Sequence, residues 1–190
     1  PMSQVYSTEP ATCGRVTLDT TYGPVDIELW PKECPLACRA FLQLSAEGYY
    51  DGLPFHRIVE NFVLQTGRRD DPAASDYLRR HHVPPRDEVV SRIRFSHRGQ
   101  VAMARSARAH AGEEEENLPY GQFFVTLDEA PWLDRRHVIF GTVGASPTIF
   151  NAIRAGGAEV EEGTDRPAEE GPRWRRGPIG RRRRGRGGGG

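Results

Sequence analysis

Short runs of alternating apolar residues recur through the first three quarters of the chain, and helical spacing interrupts them only twice, at places far apart. In Gly14–Thr20, Val16 and Leu18 fall on one face of an extended segment. In Val25–Leu29, Val25, Ile27 and Leu29 do the same, and Gly23-Pro24 between the two segments predicts the turn of a hairpin. Further strand-like runs are Phe55–Val59, Phe62–Thr66, Gln100–Ala104, Gln122–Leu127 and His137–Val143. One helix is expected to begin at Pro35 and end at Gly48, with Leu36, Cys38, Phe41, Leu42 and Leu44 as its apolar positions. A second opens with Ser146 as N-cap and Pro147 at the first helical position. It carries Ile149, Phe150 and Ile153 and stops at Gly156-Gly157. Strands and helices do not alternate, which argues against a doubly wound parallel sheet. The expected architecture is a closed or nearly closed antiparallel barrel capped by helices.

Three stretches break this pattern. Residues 68–88 are rich in Arg, Asp, His and Pro, and residues 105–120 contain the run Glu113–Glu116; both read as long surface loops. From about residue 158 onward apolar residues give way to Glu, Pro, Gly and Arg, the composition of a loosely held tail. The formal net charge of zero hides an asymmetry. Residues 171–190 hold Arg173, Arg175, Arg176, Arg181 to Arg184 and Arg186 without one acid, so this tail is +8 and the preceding residues carry −8. Such a tail suits an anionic partner, nucleic acid or an acidic protein surface, although arginine bias is general here, with 25 Arg against the single Lys32. No apolar run approaches a membrane span, and residues 1–20, with Pro1 ahead of Met2 set aside, show no secretory pattern.

Cys13, Cys34 and Cys38 are an odd and small set, which fits a reducing compartment. Cys34 and Cys38 are spaced to share a helix face as metal ligands sometimes do, but nothing nearby completes such a site, and small buried side chains are the expectation. His81-His82 likewise lack partners at ligand spacing. Hydrolase elbows, phosphate loops and zinc-protease helices are not found in the sequence.

Three segments read together are more specific. The first is Phe55-His56-Arg57-Ile58-Val59 continuing through Phe62-Val63-Leu64-Gln65, and the second is Val101-Ala102-Met103-Ala104. The third is Gly121-Gln122-Phe123-Phe124-Val125-Thr126, followed by Trp132-Leu133-Asp134 and His137-Val138-Ile139-Phe140-Gly141. In order and spacing they resemble the cyclophilin family of peptidyl-prolyl cis-trans isomerases over residues 12–157. Val5-Tyr6 through Glu9-Pro10, Asp26–Trp30, Cys38–Phe41 and Gly48–Asp51 resemble in particular the nuclear, spliceosome-associated branch.

The resemblance implies a mainly β fold, a closed eight-stranded antiparallel barrel capped by two α-helices. It implies an N-terminal extension over 1–11, the domain over 12–157, a segment 158–180 that supplies a closing strand within Pro172–Ile179, and an Arg/Gly-rich tail over 181–190. It places the catalytic arginine on Arg57 and the proline pocket on Phe62, Val63, Phe124, Leu133 and His137. Peptide contacts fall on Gln65, Ala104, Arg105 and Gln122, and the rim tryptophan on Trp132. Expected partners are proline-containing segments, spliceosomal proteins, cyclosporin as an inhibitor, and RNA through the tail Arg173–Gly190, with a nuclear location and no metal or other cofactor. The alternative is a catalytically weak or inactive adaptor on the same fold.

Elementary chemistry supports that residue set. Rotation about an X–Pro bond faces a barrier of roughly 18–20 kcal/mol because the nitrogen lone pair conjugates with the carbonyl. A catalyst needs no nucleophile or metal. It must hold the ring, favour a twisted amide and direct a hydrogen bond to the nitrogen, for which an always-charged arginine fork is suited. Phe62, Val63, Phe124 and Leu133 taken singly read more readily as barrel core, and it is the joint occurrence of Arg57, Gln65, Gln122, Trp132 and His137 in family order that points to a site. Departures from the family pattern are Thr66-Gly67-Arg68-Arg69 where glycines are usual, Val63 for a longer Met, Arg105 for Asn, and Tyr120-Gly121 for Gly-Ser.

Overall fold

The computed structural model describes residues 9–69, 88–104 and 121–144 together with the backbone of 174–175. Among the described residues, eight strands and one α-helix follow one another as β1 (Arg15–Thr20), β2 (Gly23–Leu29), α1 (Pro35–Ala46), β3 (Arg57–Val59), β4 (Val63–Thr66), β5 (Gln100–Met103), β6 (Phe123–Thr126), β7 (Ile139–Val143) and β8 (Trp174–Arg175). A short 3-10 turn, Pro131–Leu133, precedes β7. All strand pairs are antiparallel, in the order β3-β4-β6-β5-β7-β2-β1-β8. β1–β7 form a curled half-barrel, and the two-residue β8 adds to the edge of β1 within the segment expected to supply a closing strand. Among the described residues the sheet ends at β3 on one side and β8 on the other. The predicted second helix from Ser146, and most of the two predicted long loops, lie outside the described residues.

The hairpin turn differs from expectation. Gly23 and Pro24 belong to β2, pairing with Thr20 and Asp19, and the turn is Thr21-Tyr22. Thr20 fixes it, donating from Oγ1 to the Gly23 carbonyl (2.7 Å) and accepting from the Tyr22 N–H (3.2 Å). Gly23 thus serves as a strand residue at φ 113°, a value only glycine adopts easily.

Four neighbouring strands alternate between two apolar clusters, one on each face of the sheet. Leu64, Val101, Phe123, Val125 and Phe140 point to the main core, where they meet Phe41 and Leu44 of α1. Val63, Ala102, Phe124 and Ile139 point the other way, into a second cluster with Trp30, Phe95 and Ala130. The period of two makes this division unavoidable once the register is set. Helix α1 sits against the first face through Phe41, whose ring meets Phe123 edge-on at 5.2 Å. Its buried residues are Ala37, Cys38, Ala40, Phe41 and Leu44, whereas Leu36 and Leu42, expected among its apolar contacts, are exposed. They lie on the far side of the helix, since 100° per residue cannot bring every apolar position inward.

Candidate active site

The second cluster lies beneath a face of the sheet whose bordering side chains are exposed or half-buried, the candidate groove. Strand register places Arg57, Gln65, Phe124 and Ala102 directly opposite one another across β3, β4, β6 and β5, so all four emerge on the same face. Val63 and Phe124 are buried there, only 3% and 4% exposed. Phe62 and Leu133 pack against them from the sides and are half-buried.

Arg57 stands at one end, exposed, its guanidinium carbon 5.9 Å from the centroid of Phe62. Phe62 in turn meets Trp132 at 5.6 Å between ring centroids. Trp132 keeps 58% of its surface exposed, so one ring face is available for contact at the rim. His137 closes the pocket from the other side, edge-on to Phe124 at 5.2 Å. Its Nδ1 lies 3.0 Å from the Met103 carbonyl. A carbonyl only accepts, so Nδ1 carries the proton and the ring orientation is fixed by the backbone of β5.

The polar side of the groove is built by two glutamines far apart in sequence. Gln65 Nε2 donates to Gln122 Oε1 (3.0 Å), and Ala104 N–H donates to the Gln122 carbonyl (3.0 Å). This leaves the remaining Gln65 amide oxygen and Gln122 amide hydrogens as groups able to meet a peptide backbone. Gly67 makes the arrangement sterically feasible. It has φ 92°, and a Cβ there would stand 2.0 Å from the Gly121 carbonyl oxygen, so no other residue fits between the ends of β4 and β6. Beyond it, Arg69 donates from Nε to the Tyr49 carbonyl (2.9 Å) and places its guanidinium 5.0 Å from the Tyr49 ring centre. Arg69 is thereby anchored back onto the body of the domain.

The structure therefore brings together Arg57, Phe62, Val63, Gln65, Ala104, Gln122, Phe124, Trp132, Leu133 and His137 around one groove, and Arg105 lies outside the described residues. Val63 and Phe124 lie on the face opposite the main core and are themselves buried in the second cluster, so they are packing residues as well as candidate pocket residues. Two supporting residues escaped sequence reasoning. Phe95 stacks on Phe124 at 5.9 Å, and Asp134 Oδ1 accepts from the Phe95 N–H (2.8 Å), tying the Trp132-Leu133 turn to the loop before β5. Phe95 is set in the Arg- and Ser-rich stretch Ser91–Arg98, where Ile93 alone shares its alternation and its cluster. Asp134 was visible only as part of a segment whose role depended on a partner 39 positions away.

Cys34 and Cys38 are each 1% exposed and lie away from the groove, among the residues of the main core. Their sulfurs donate to the Ile139 (3.3 Å) and Phe140 (3.4 Å) carbonyls. Burial pushes both thiols up to about 12, so at neutral pH they are protonated packing residues rather than thiolate ligands.

The chain matches the family described as "Cyclophilin type peptidyl-prolyl cis-trans isomerase/CLD" over residues 15–172. It is 43% identical over 176 residues to the peptidyl-prolyl cis-trans isomerase CYP57 of Arabidopsis thaliana, a match covering 90% of this chain and 32% of that protein. It is 46% identical over 166 residues to the spliceosome-associated protein CWC27 homolog of Xenopus laevis, covering 86% and 32% respectively. The chain thus spans about a third of the length of these curated relatives. A crystal structure of a Cryptosporidium parvum cyclophilin type peptidyl-prolyl cis-trans isomerase, obtained in the presence of the dipeptide Ala-Pro, superposes with a TM-score of 0.62 at 26% identity. That match covers 86% of this chain and all of the other. Sequence order, sheet register, groove and family match agree, and the chain belongs to the cyclophilin-type peptidyl-prolyl cis-trans isomerase family.

Proposed function

We propose that this chain is a peptidyl-prolyl cis-trans isomerase acting on X–Pro bonds of protein segments in a nuclear pre-mRNA splicing context. The observation that carries the reading is the joint placement of Arg57, Gln65 and Phe124 in one row across three strands, beside an apolar pocket rimmed by Trp132. Arg57 acts as the catalytic residue. The proline ring rests on Val63 and Phe124 between Phe62, Leu133 and His137, and Gln65, Gln122 and the backbone at Ala104 and Arg105 hold the flanking peptide. As the C–N bond twists, the nitrogen lone pair localises and accepts a hydrogen bond from the Arg57 guanidinium. That interaction exists only near the transition state, so it raises the rate without tightening the ground state.

The splicing context follows from relatives named as spliceosome-associated and from the branch-specific N-terminal wording of the sequence. Closure of the barrel through β8, a second helix from Ser146, the domain limits 12–157, RNA contact by the tail and cyclosporin binding at Trp132 belong to the same reading.

A protease-coupled assay on a set of X–Pro peptides tests it. Wild type is expected to accelerate isomerisation, and Arg57→Ala to lower kcat/KM by about 10²–10³, the loss typical for removal of one transition-state donor. Folded wild-type protein that accelerates no peptide would replace this reading with the adaptor.

A further inference from the structure

The segment that carries the pocket wall contains a residue in an unfavourable conformation. Leu133 to Arg136 form a type II turn: Asp134 has φ −53° and ψ 137°, Arg135 has φ 60°, and the Arg136 N–H donates to the Leu133 carbonyl (3.1 Å). The third position of such a turn requires positive φ and favours Gly or Asn. An arginine there is held at a conformational cost. Packing gives no reason for it, because Arg135 and Arg136 are both exposed and neither side chain has an ion pair or hydrogen bond among the described residues. The two arginines lie between Leu133 and His137, two residues that wall the groove.

The acids of this rim form no ion pair with that position among the described residues. Asp134 is committed to the Phe95 N–H through Oδ1. Asp128 and Glu129 belong to the opposite end of the loop, next to Phe62, whose carbonyl accepts from the Leu127 N–H (2.8 Å). Asp128 Oδ1 also accepts from the Glu129 N–H (2.8 Å). Arg135 and Arg136 are thus exposed cations with no ion-pair partner among the described residues, directly preceding His137 in the chain.

We infer that Arg135, assisted by Arg136, is a specificity-determining residue that receives a carboxylate side chain one or two residues from the substrate proline. Successive Cα atoms are about 3.8 Å apart, so a residue at that remove lies within about 8 Å of the ring. A guanidinium two positions beyond Leu133 serves that range, and its planar fork matches a carboxylate in geometry and charge. The inference rests on the groove binding X–Pro peptides.

The test uses the full chain and peptide pairs identical except for Glu or Gln flanking the proline, read both as kcat/KM and as binding by NMR shift titration. Wild type should favour Glu by about two- to five-fold at low ionic strength, chiefly through KM, and lose the preference at high salt. Arg135→Asn, which suits positive φ and keeps the turn, should bring the Glu/Gln ratio to about one, and Arg135→Lys should restore part of it. Equal handling of Glu and Gln by wild type, or a preference that survives Arg135→Asn, overturns the inference alone. Failure of wild type to bind or turn over either peptide overturns the activity reading and the inference with it.

Discussion

Gln100 is 1% exposed, and its side chain makes polar contacts normally left to water or backbone. Its Oε1 accepts from the Ser96 (2.9 Å) and His97 (3.4 Å) N–H groups, and its Nε2 donates to the Arg94 carbonyl (2.8 Å). Its own N–H donates to Thr126 Oγ1 (3.0 Å), which in turn donates to the His97 carbonyl (3.0 Å). One side chain therefore satisfies the loop that delivers Phe95 to Phe124. Gln100→Leu keeps the volume and removes these partners. It should cost about 2–4 kcal/mol, because buried polar groups left unpaired lose their hydration without compensation. A urea titration would show this as a lower midpoint at unchanged slope. A loss below about 0.5 kcal/mol would mean that water replaces the amide without penalty. At this scale Arg57, Gln65, Phe124 and Trp132 were singled out through the family resemblance, since each taken alone has an ordinary structural role open to it. Gln100 was legible only as the start of a strand, since its role depends on where its neighbours' N–H groups point.

Helix α1 shows how an element takes its stability from distant parts of the chain. Pro35 sits in its first turn as the sequence suggested, and Gly48 ends it in the left-handed conformation at φ 74°. Cys34, at the N-cap position, makes no side-chain cap. The cap comes instead from Glu88, whose two carboxylate oxygens accept from the Leu36 (2.8 Å) and Ala37 (2.9 Å) N–H groups. Nothing local announces a cap 51 residues away, which is why the helix was readable and its anchoring was not. The negative charge also suits the positive end of the helix dipole. The same helix sets a pH dependence. Cys34 and Cys38 titrate near 12 when folded, against 9.0 for a free thiol, so the unfolded chain releases those protons first as pH rises. Their contribution is fully present below about 9 and is lost progressively as pH rises from there toward 12. Unfolding midpoints followed from pH 8 to 11 should fall, and the fall should be shallower in Cys34→Ala/Cys38→Ala than in wild type. Equal slopes would show that the thiols ionise alike in both states.

Over the whole molecule, the division into two apolar clusters puts one of them against α1 and the other beneath the candidate groove. Alternation in single strands was visible in the sequence, but the row Arg57–Gln65–Phe124 depends on the pairing of β4 with β6, strands so far apart in the chain that the Gln65–Gln122 side-chain bond beside them spans 57 positions. No local pattern specifies which strands meet, so the groove was reached through family resemblance rather than periodicity. Charge distribution, by contrast, is a property of sequence alone, and it leads to the last prediction. Residues 181–190 contain five arginines and no acid, so removing them takes the chain from zero to −5. The deletion leaves β8 at Trp174–Arg175 in place. If the tail meets RNA, it does so against a body whose net charge is repulsive, and binding must be dominated by phosphate contacts from the tail. For single strands each such contact contributes a slope of about −0.7 in log K against log salt, so five give at most about −3.5. Fluorescence anisotropy with a short single-stranded RNA should show, on deletion of 181–190, weaker binding and a salt slope shallower by up to about 3.5, while isomerase activity on short peptides persists in both. Retention that survives the deletion with its salt slope unchanged would move the contact to arginines elsewhere in the chain. Loss of isomerase activity together with RNA binding would mean that the tail also supports the fold.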